Sequence, residues 1–158
     1  MKATQNCRLL KNLAIRLALA ASLAAISLPT SALNIVMSND DGLTSNIKAL
    51  YKALKTAGHD VVVSIPCQGQ SGMGAAIIFR ELLTLLTEAC LNNAASAAES
   101  GVGPVSKVEK GFDYSDFSYV NGTPIMATAY GLDILAPARW GSAPDLVISG
   151  PNQGQNVG

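Results

Sequence analysis

Leu33-Asn34-Ile35-Val36-Met37-Ser38-Asn39-Asp40-Asp41-Gly42 decides how this chain folds. The aliphatic run at its start predicts a strand buried on both faces, as in a parallel sheet. Two adjacent carboxylates follow at once, and Gly42 permits a sharp turn out of the strand. In open α/β sheets ligands bind outside the C-terminal ends of the strands. Paired aspartates there repel one another, and a hard cation such as Mg²⁺ or Mn²⁺ relieves that repulsion. Asp-Asp-Gly is also ordinary turn chemistry that needs no metal. The rest of the chain has to separate the two readings.

Outward from this stretch, Ile47, Leu50, Tyr51 and Leu54 recur at helical spacing. They predict a helix over residues 46–57, closed by Gly58. Residues 60–65, centred on Val61-Val62-Val63, form the next buried strand. Strand, helix and strand make a βαβ unit with a right-handed crossover. His59 is the only histidine. It falls at the helix-to-strand turn, opposite the expected ligand end, where a structural duty fits better than catalysis. Residues 66–74 leave the second strand as a glycine-rich loop holding Ser71, of a kind that can cup an anion with backbone N–H groups.

Residues 75–79 suit a further strand, and residues 80–100 fit an amphipathic helix or a strand equally well. Residues 92–110 are rich in Ala, Ser, Gly and Asn and predict a long surface excursion. Order returns over 114–120. Thr123 as N-cap and Pro124 at the first helical position then start a helix running to about residue 135. Ile125, Ala129, Leu132 and Ile134 are its expected sheet-facing side chains. The last strand, 145–148, leads into a loop of alternating asparagines and glycines. Trp140 is assigned to packing. No Gly-x-Gly-x-x-Gly follows the first strand, which argues against a dinucleotide-binding enzyme.

The chain has 158 residues, enough for one domain. Residues 1–32 have the order of a secretory signal peptide: basic Lys2, Arg8, Lys11 and Arg16, an apolar core over 17–28, and small Thr30-Ser31-Ala32 for cleavage. That core is shorter than the roughly 20 residues a membrane-spanning helix needs. No stable membrane anchor is expected after cleavage, an uncleaved anchor being the alternative. Without the leader, seven Lys plus Arg face eleven Asp plus Glu. This mildly acidic balance, with no basic run, argues against binding to nucleic-acid duplexes. Export to the periplasm or beyond permits a Cys67–Cys90 disulfide, but spacing leaves the pairing open.

Three post-strand loops thus offer oxygen donors: Asp40 and Asp41, Ser71, and Asn152. Two carboxylates, a hydroxyl and an amide oxygen suit Mg²⁺ or Mn²⁺. Ser38-Asn39-Asp40-Asp41-Gly42, Gln70-Ser71-Gly72, Asn121-Gly122-Thr123-Pro124 and the run from Ser149 to Asn156 resemble, in order and spacing, the SurE family. These survival-protein-type phosphatases are metal-dependent and act as 5′- and 3′-nucleotidases and acid phosphatases. The resemblance implies a three-layer, Rossmann-like α/β fold with a mainly parallel sheet over residues 33–158. It matches Asp40, Asp41, Ser71 and Asn152 to the family's metal ligands. Asn39 and the amides around Gly72 stand near enough to help hold phosphate, an inference from neighbourhood. Family proteins continue for roughly another hundred residues and oligomerise, so a C-terminal part of the fold is expected to be missing.

The expected activity is hydrolysis of phosphomonoesters, nucleoside monophosphates above all, by a metal-activated water. Asp40 is the principal ligand, and Asp41 either a second ligand or the acceptor of the water's proton. An aspartyl-phosphate intermediate is the mechanistic rival. The alternative of another class is a non-catalytic metal- and phosphate-binding remnant. A receiver-type signalling domain fits poorly, because the last strand ends in Ser149-Gly150 rather than in a phosphorylatable aspartate.

Overall fold

In the computed structural model of this protein, residues 31–79 and 83–154 are described. The leader expected over 1–32 lies, but for Ser31 and Ala32, outside them. So do residues 80–82 and the end of the asparagine-rich run, residues 155–158.

Strand β1 is Asn34–Ser38 and β2 is Asp60–Pro66, paired in parallel with Ile35 opposite Val61 and Met37 opposite Val63. Helix α1, Ser45–Thr56, connects them. It starts on Thr44, whose Oγ1 accepts the Ile47 N–H at 3.3 Å. It ends with His59 N–H on the Leu54 carbonyl and Gly58 N–H on that of Lys55, Gly58 taking a φ of 91°. That pair of bonds is the Schellman closure for which a glycine was expected. His59 then serves the turn, its Nδ1 accepting the Leu33 N–H at 3.2 Å.

Strands β3 (Val102–Pro104), β4 (Phe117–Val120) and β5 (Leu146–Ser149) complete a five-stranded sheet in the order β3-β4-β2-β1-β5. Only β3 runs antiparallel. Pro66 stands opposite Val120 and Ser38 opposite Ser149, so the C-terminal ends of these four strands share one edge.

Residues alternate between two cores, as the pleat requires. Ile35, Met37, Val61, Val63 and Ile65 pack with Ile47 of α1, Phe117 and Tyr119. Val36 and Val62 face the other way, onto Ala136, Leu132, Leu135 and Trp140. The helices there are α2 (Pro124–Tyr130) and α3 (Ala136–Trp140), joined by a π-helical turn over Gly131–Leu135. A sheet between two helical layers is the expected three-layer α/β fold.

Several local expectations fail for physical reasons. Residues 75–79 join no strand, and Phe79 is 76% exposed. The place beside β4 is taken by β3, which the Gly- and Ser-rich composition had concealed. Of the described residues in 83–100, only Leu91–Asn93 are helical, as a single 3₁₀ turn. Ile125 and Ile134 point to solvent; Ala127, Gly131 and Ala136 are the buried helical residues. Small residues let the helix approach the strands closely. Ser64 Oγ donates to the Ala127 carbonyl at 2.6 Å, and a Cβ on Gly131 would lie 2.7 Å from Val36 Cγ1 and 3.3 Å from Ser64 Cβ.

Gly131→Ala is therefore expected to destabilise the protein by about 1–2 kcal/mol: overpacking against a stiff buried valine costs more than the helix propensity gained. An unchanged or higher urea midpoint would refute this close contact.

The helical layer is clamped at its far end. Asp60 receives Arg139 Nε and Nη2 at 3.1 and 2.9 Å and Trp140 Nε1 at 2.8 Å. The Arg139 bonds, above all, hold the Asp60 carboxyl down at about 2.

Candidate active site at the C-terminal edge of the sheet

Three loops meet where β1, β2 and β5 end. The first is the acidic turn after β1. Asn39 is buried, and its side chain brackets Gly42: Nδ2–H donates to the Gly42 carbonyl at 2.9 Å while Oδ1 accepts the Gly42 N–H at 3.1 Å. Gly42 adopts a φ of 80°, and a Cβ there would sit 3.0 Å from the Pro66 carbonyl oxygen. Asn39 thus shapes the turn that presents the aspartates. Asp40 is partly buried; Asp41 is only 8% exposed.

The second loop is tied to the first by Gln70 N–H, which donates to the Asp40 carbonyl at 2.7 Å. Ser71 and Gly72 come next, both exposed, with Gly72 at a φ of 88°. The third loop follows β5. Gly150 N–H donates to the Ser38 carbonyl at 2.8 Å, the Gly150–Pro151 bond is cis, and Gln153 N–H donates to Asp41 Oδ2 at 2.6 Å. Asn152 is exposed, its Nδ2–H donating to the Gln153 carbonyl at 3.0 Å. The four candidate ligands therefore stand on loops that are hydrogen-bonded to one another.

Among the described residues no Lys, Arg or His forms an ion pair with Asp40 or Asp41. A buried carboxylate without a cationic partner is costly. Ser38 Oγ, buried just before the turn, also has no hydrogen-bond partner among the described residues. These features fit a small hard cation with oxygen ligands. A cluster of three or more His, Cys, Asp or Glu is absent among the described residues, so the donor set rests on hydroxyl and amide oxygens beside the two carboxylates.

Thr123 begins α2 as expected, but its Oγ1 makes no cap bond and is buried without a partner among the described residues. Sequence reasoning did not find the Gln153 amide, because a backbone donor carries no residue signature. It also missed Leu91 and Asn92, which touch the turn from where the expected helix or strand over 80–100 meets the expected surface excursion over 92–110.

Residues 35–158 match the family model described as survival protein SurE. This chain belongs to the SurE family. It is 38% identical over 128 residues to an acid phosphatase of Yarrowia lipolytica, covering 78% of this chain and 33% of that protein. To the 5′-nucleotidase SurE of Desulfovibrio desulfuricans it is 33% identical over 128 residues, covering 80% and 39%. The crystal structure of SurE protein from Aquifex aeolicus superposes with a TM-score of 0.51 at 29% identity, covering 78% of this chain and 39% of that one. The chain thus spans between a third and two fifths of the length of these SurE relatives.

Proposed function

We propose that this chain carries the cation- and phosphate-binding end of a metal-dependent phosphomonoesterase acting on nucleoside monophosphates and similar phosphate esters. The observation that carries this reading is the buried Asp41 beside Asp40, which no Lys, Arg or His among the described residues pairs, at the C-terminal edge of a SurE-family sheet. Relatives named 5′-nucleotidase SurE and acid phosphatase support the substrate class.

In this reading Asp40, Asp41, Ser71 and Asn152 would hold Mg²⁺ or Mn²⁺. When bound, such an ion offsets phosphate charge and lowers the pKa of a coordinated water. The chain's own groups do the rest. Asp41 anchors the third loop through Gln153 N–H on its Oδ2, and its other oxygen would serve the cation. Asn39 fixes the turn through both ends of its carboxamide, and the amides around exposed Gly72 would help hold the phosphate. Asp40 or Asp41 would take one proton from the water as its oxygen bonds to phosphorus and the ester P–O bond breaks, and that proton or one from solvent would go to the leaving alkoxide.

Export is part of the proposal. Cys67 and Cys90 form a disulfide, with Cα atoms 4.7 Å apart, and such bonds persist in oxidising compartments. Among the described residues no helix is long and apolar enough to cross a membrane.

The exposure of Ser71 and Asn152 favours one second reading, a module that binds metal and phosphate without turnover. Phosphate release from AMP and an aryl phosphate, with Mn²⁺ or Mg²⁺ and again with chelator, separates the two. Release abolished by chelator is expected. Metal binding with no release from the folded protein would establish the second reading instead.

A further inference from the structure

We infer that Asn92, held in place by the Cys67–Cys90 bridge, is a positioning residue that sets the acidic turn for cation binding. The inference rests on the phosphatase reading and deepens it.

Residues 90–93 touch both of the loops that carry Asp40, Asp41 and Ser71. Towards the second loop, Cys90 is bonded to Cys67, the residue after β2, and Leu91 N–H donates to the Cys67 carbonyl at 2.8 Å. Gln68 adds a bond from Nε2–H to the Ala89 carbonyl at 2.8 Å. Towards the first loop, Leu91 Cδ2 lies 3.5 Å from where a Gly42 Cβ would stand. Asn92 Nδ2–H donates to the Leu43 carbonyl, directly after the turn, at 2.6 Å.

Two features separate this from simple core filling. Asn92 is an exposed residue, so it does not contribute bulk to the interior. Its backbone also sits at a φ of 53° and Asn93 at 56°, a left-handed region that non-glycine residues rarely occupy and asparagine tolerates best. Backbone of this kind persists where its surroundings over-determine it. Here the bridge on one side and Leu43 on the other do so. The chemistry lies one step beyond an outer-shell hydrogen bond: Asn92 holds the backbone two residues after Asp41, and so the turn, rather than a ligand itself.

The test uses the full chain and its Asn92→Gly variant, because glycine keeps the backbone conformation and deletes the carboxamide. Mn²⁺ binding is titrated by the electron paramagnetic resonance signal of free Mn²⁺, and the thermal midpoint is measured in chelator. The expected result is Mn²⁺ affinity weakened about tenfold, the scale of an outer-shell loss, with the midpoint in chelator held close to wild type. Wild-type Mn²⁺ affinity in the variant overturns the inference while leaving the phosphatase reading intact. A weaker affinity accompanied by a collapsed midpoint also overturns it, since Asn92 would then be structural. A wild-type chain that binds no Mn²⁺ overturns both.

Discussion

Phosphate release by an Asp41→Asn protein is expected to fall at least about 10²-fold below wild type at equal Mn²⁺. Loss of an outer-shell partner alone costs 10–100-fold, and a directly bound ligand should cost no less. The substitution is chosen for what it keeps. An asparagine Oδ1 can still accept the Gln153 N–H that Asp41 Oδ2 now holds at 2.6 Å, so the third loop stays docked. What is lost is one negative charge in a site where no cationic side chain pairs with either aspartate among the described residues. The variant is therefore expected to fold as wild type does. The measurement is kcat/KM for a nucleoside monophosphate at fixed metal, beside a far-ultraviolet circular dichroism spectrum. Activity above a tenth of wild type, in a normally folded protein, would remove Asp41 from the ligand set.

Removing the Cys67–Cys90 bridge, as the double Cys67→Ala/Cys90→Ala variant, should destabilise the fold by about 3 kcal/mol. The two cysteines are 23 residues apart, and closing a loop of that length removes chain entropy from the unfolded state on that scale. Both side chains are also buried, in the same core as Ile65 and Phe117, so truncating them leaves small voids that add to the loss. With denaturant slopes of about 1–3 kcal/mol/M, the urea midpoint should drop by about 1–3 M. A shift well below that range would mean that residues 83–100 keep their place without the covalent tie. The hydrogen bonds of Leu91 and Gln68 to their partners across the bridge would then carry the attachment.

Strands β1 and β2 were legible because both of their faces are buried. Val61 to Ile65 are apolar nearly throughout, and no surface requirement blurs the pattern. Helix α1 was legible for the opposite reason: it is half exposed, so Ile47, Leu50, Tyr51 and Leu54 stand out at helical spacing. The second helical layer was only partly legible: Leu132 packs on Val36 and Val62, but Ile125 and Ile134, equally aliphatic, face solvent. Close approach to the sheet selects Ala127 and Gly131 instead, and the π-helical turn shifts the face partway along. The continuation through Pro137 to Trp140 was hidden for a related reason. The proline falls in the first turn of α3, where its missing N–H is tolerated. The disulfide could not be read at all, since only the fold brings Cys67 and Cys90 together.

In the site, the acidic pair was legible from its position after a buried strand. The ties between loops were not, because Gln70, Gly150 and Gln153 all act through backbone amides that every residue type possesses.

The placement of β5 has a thermodynamic consequence. Among the described residues it is the outermost strand beside β1, with Leu146 43% and Val147 42% exposed, yet the loop it carries reaches back to Asp41 and bears Asn152. A cation held by Asp41 and Asn152 together would bind only while that strand is docked. Its binding free energy would then be added to the closed form alone, and occupancy and local opening would oppose each other through mass action. Under the proposed function, the edge of this sheet would be fastened by the ion that it helps to bind.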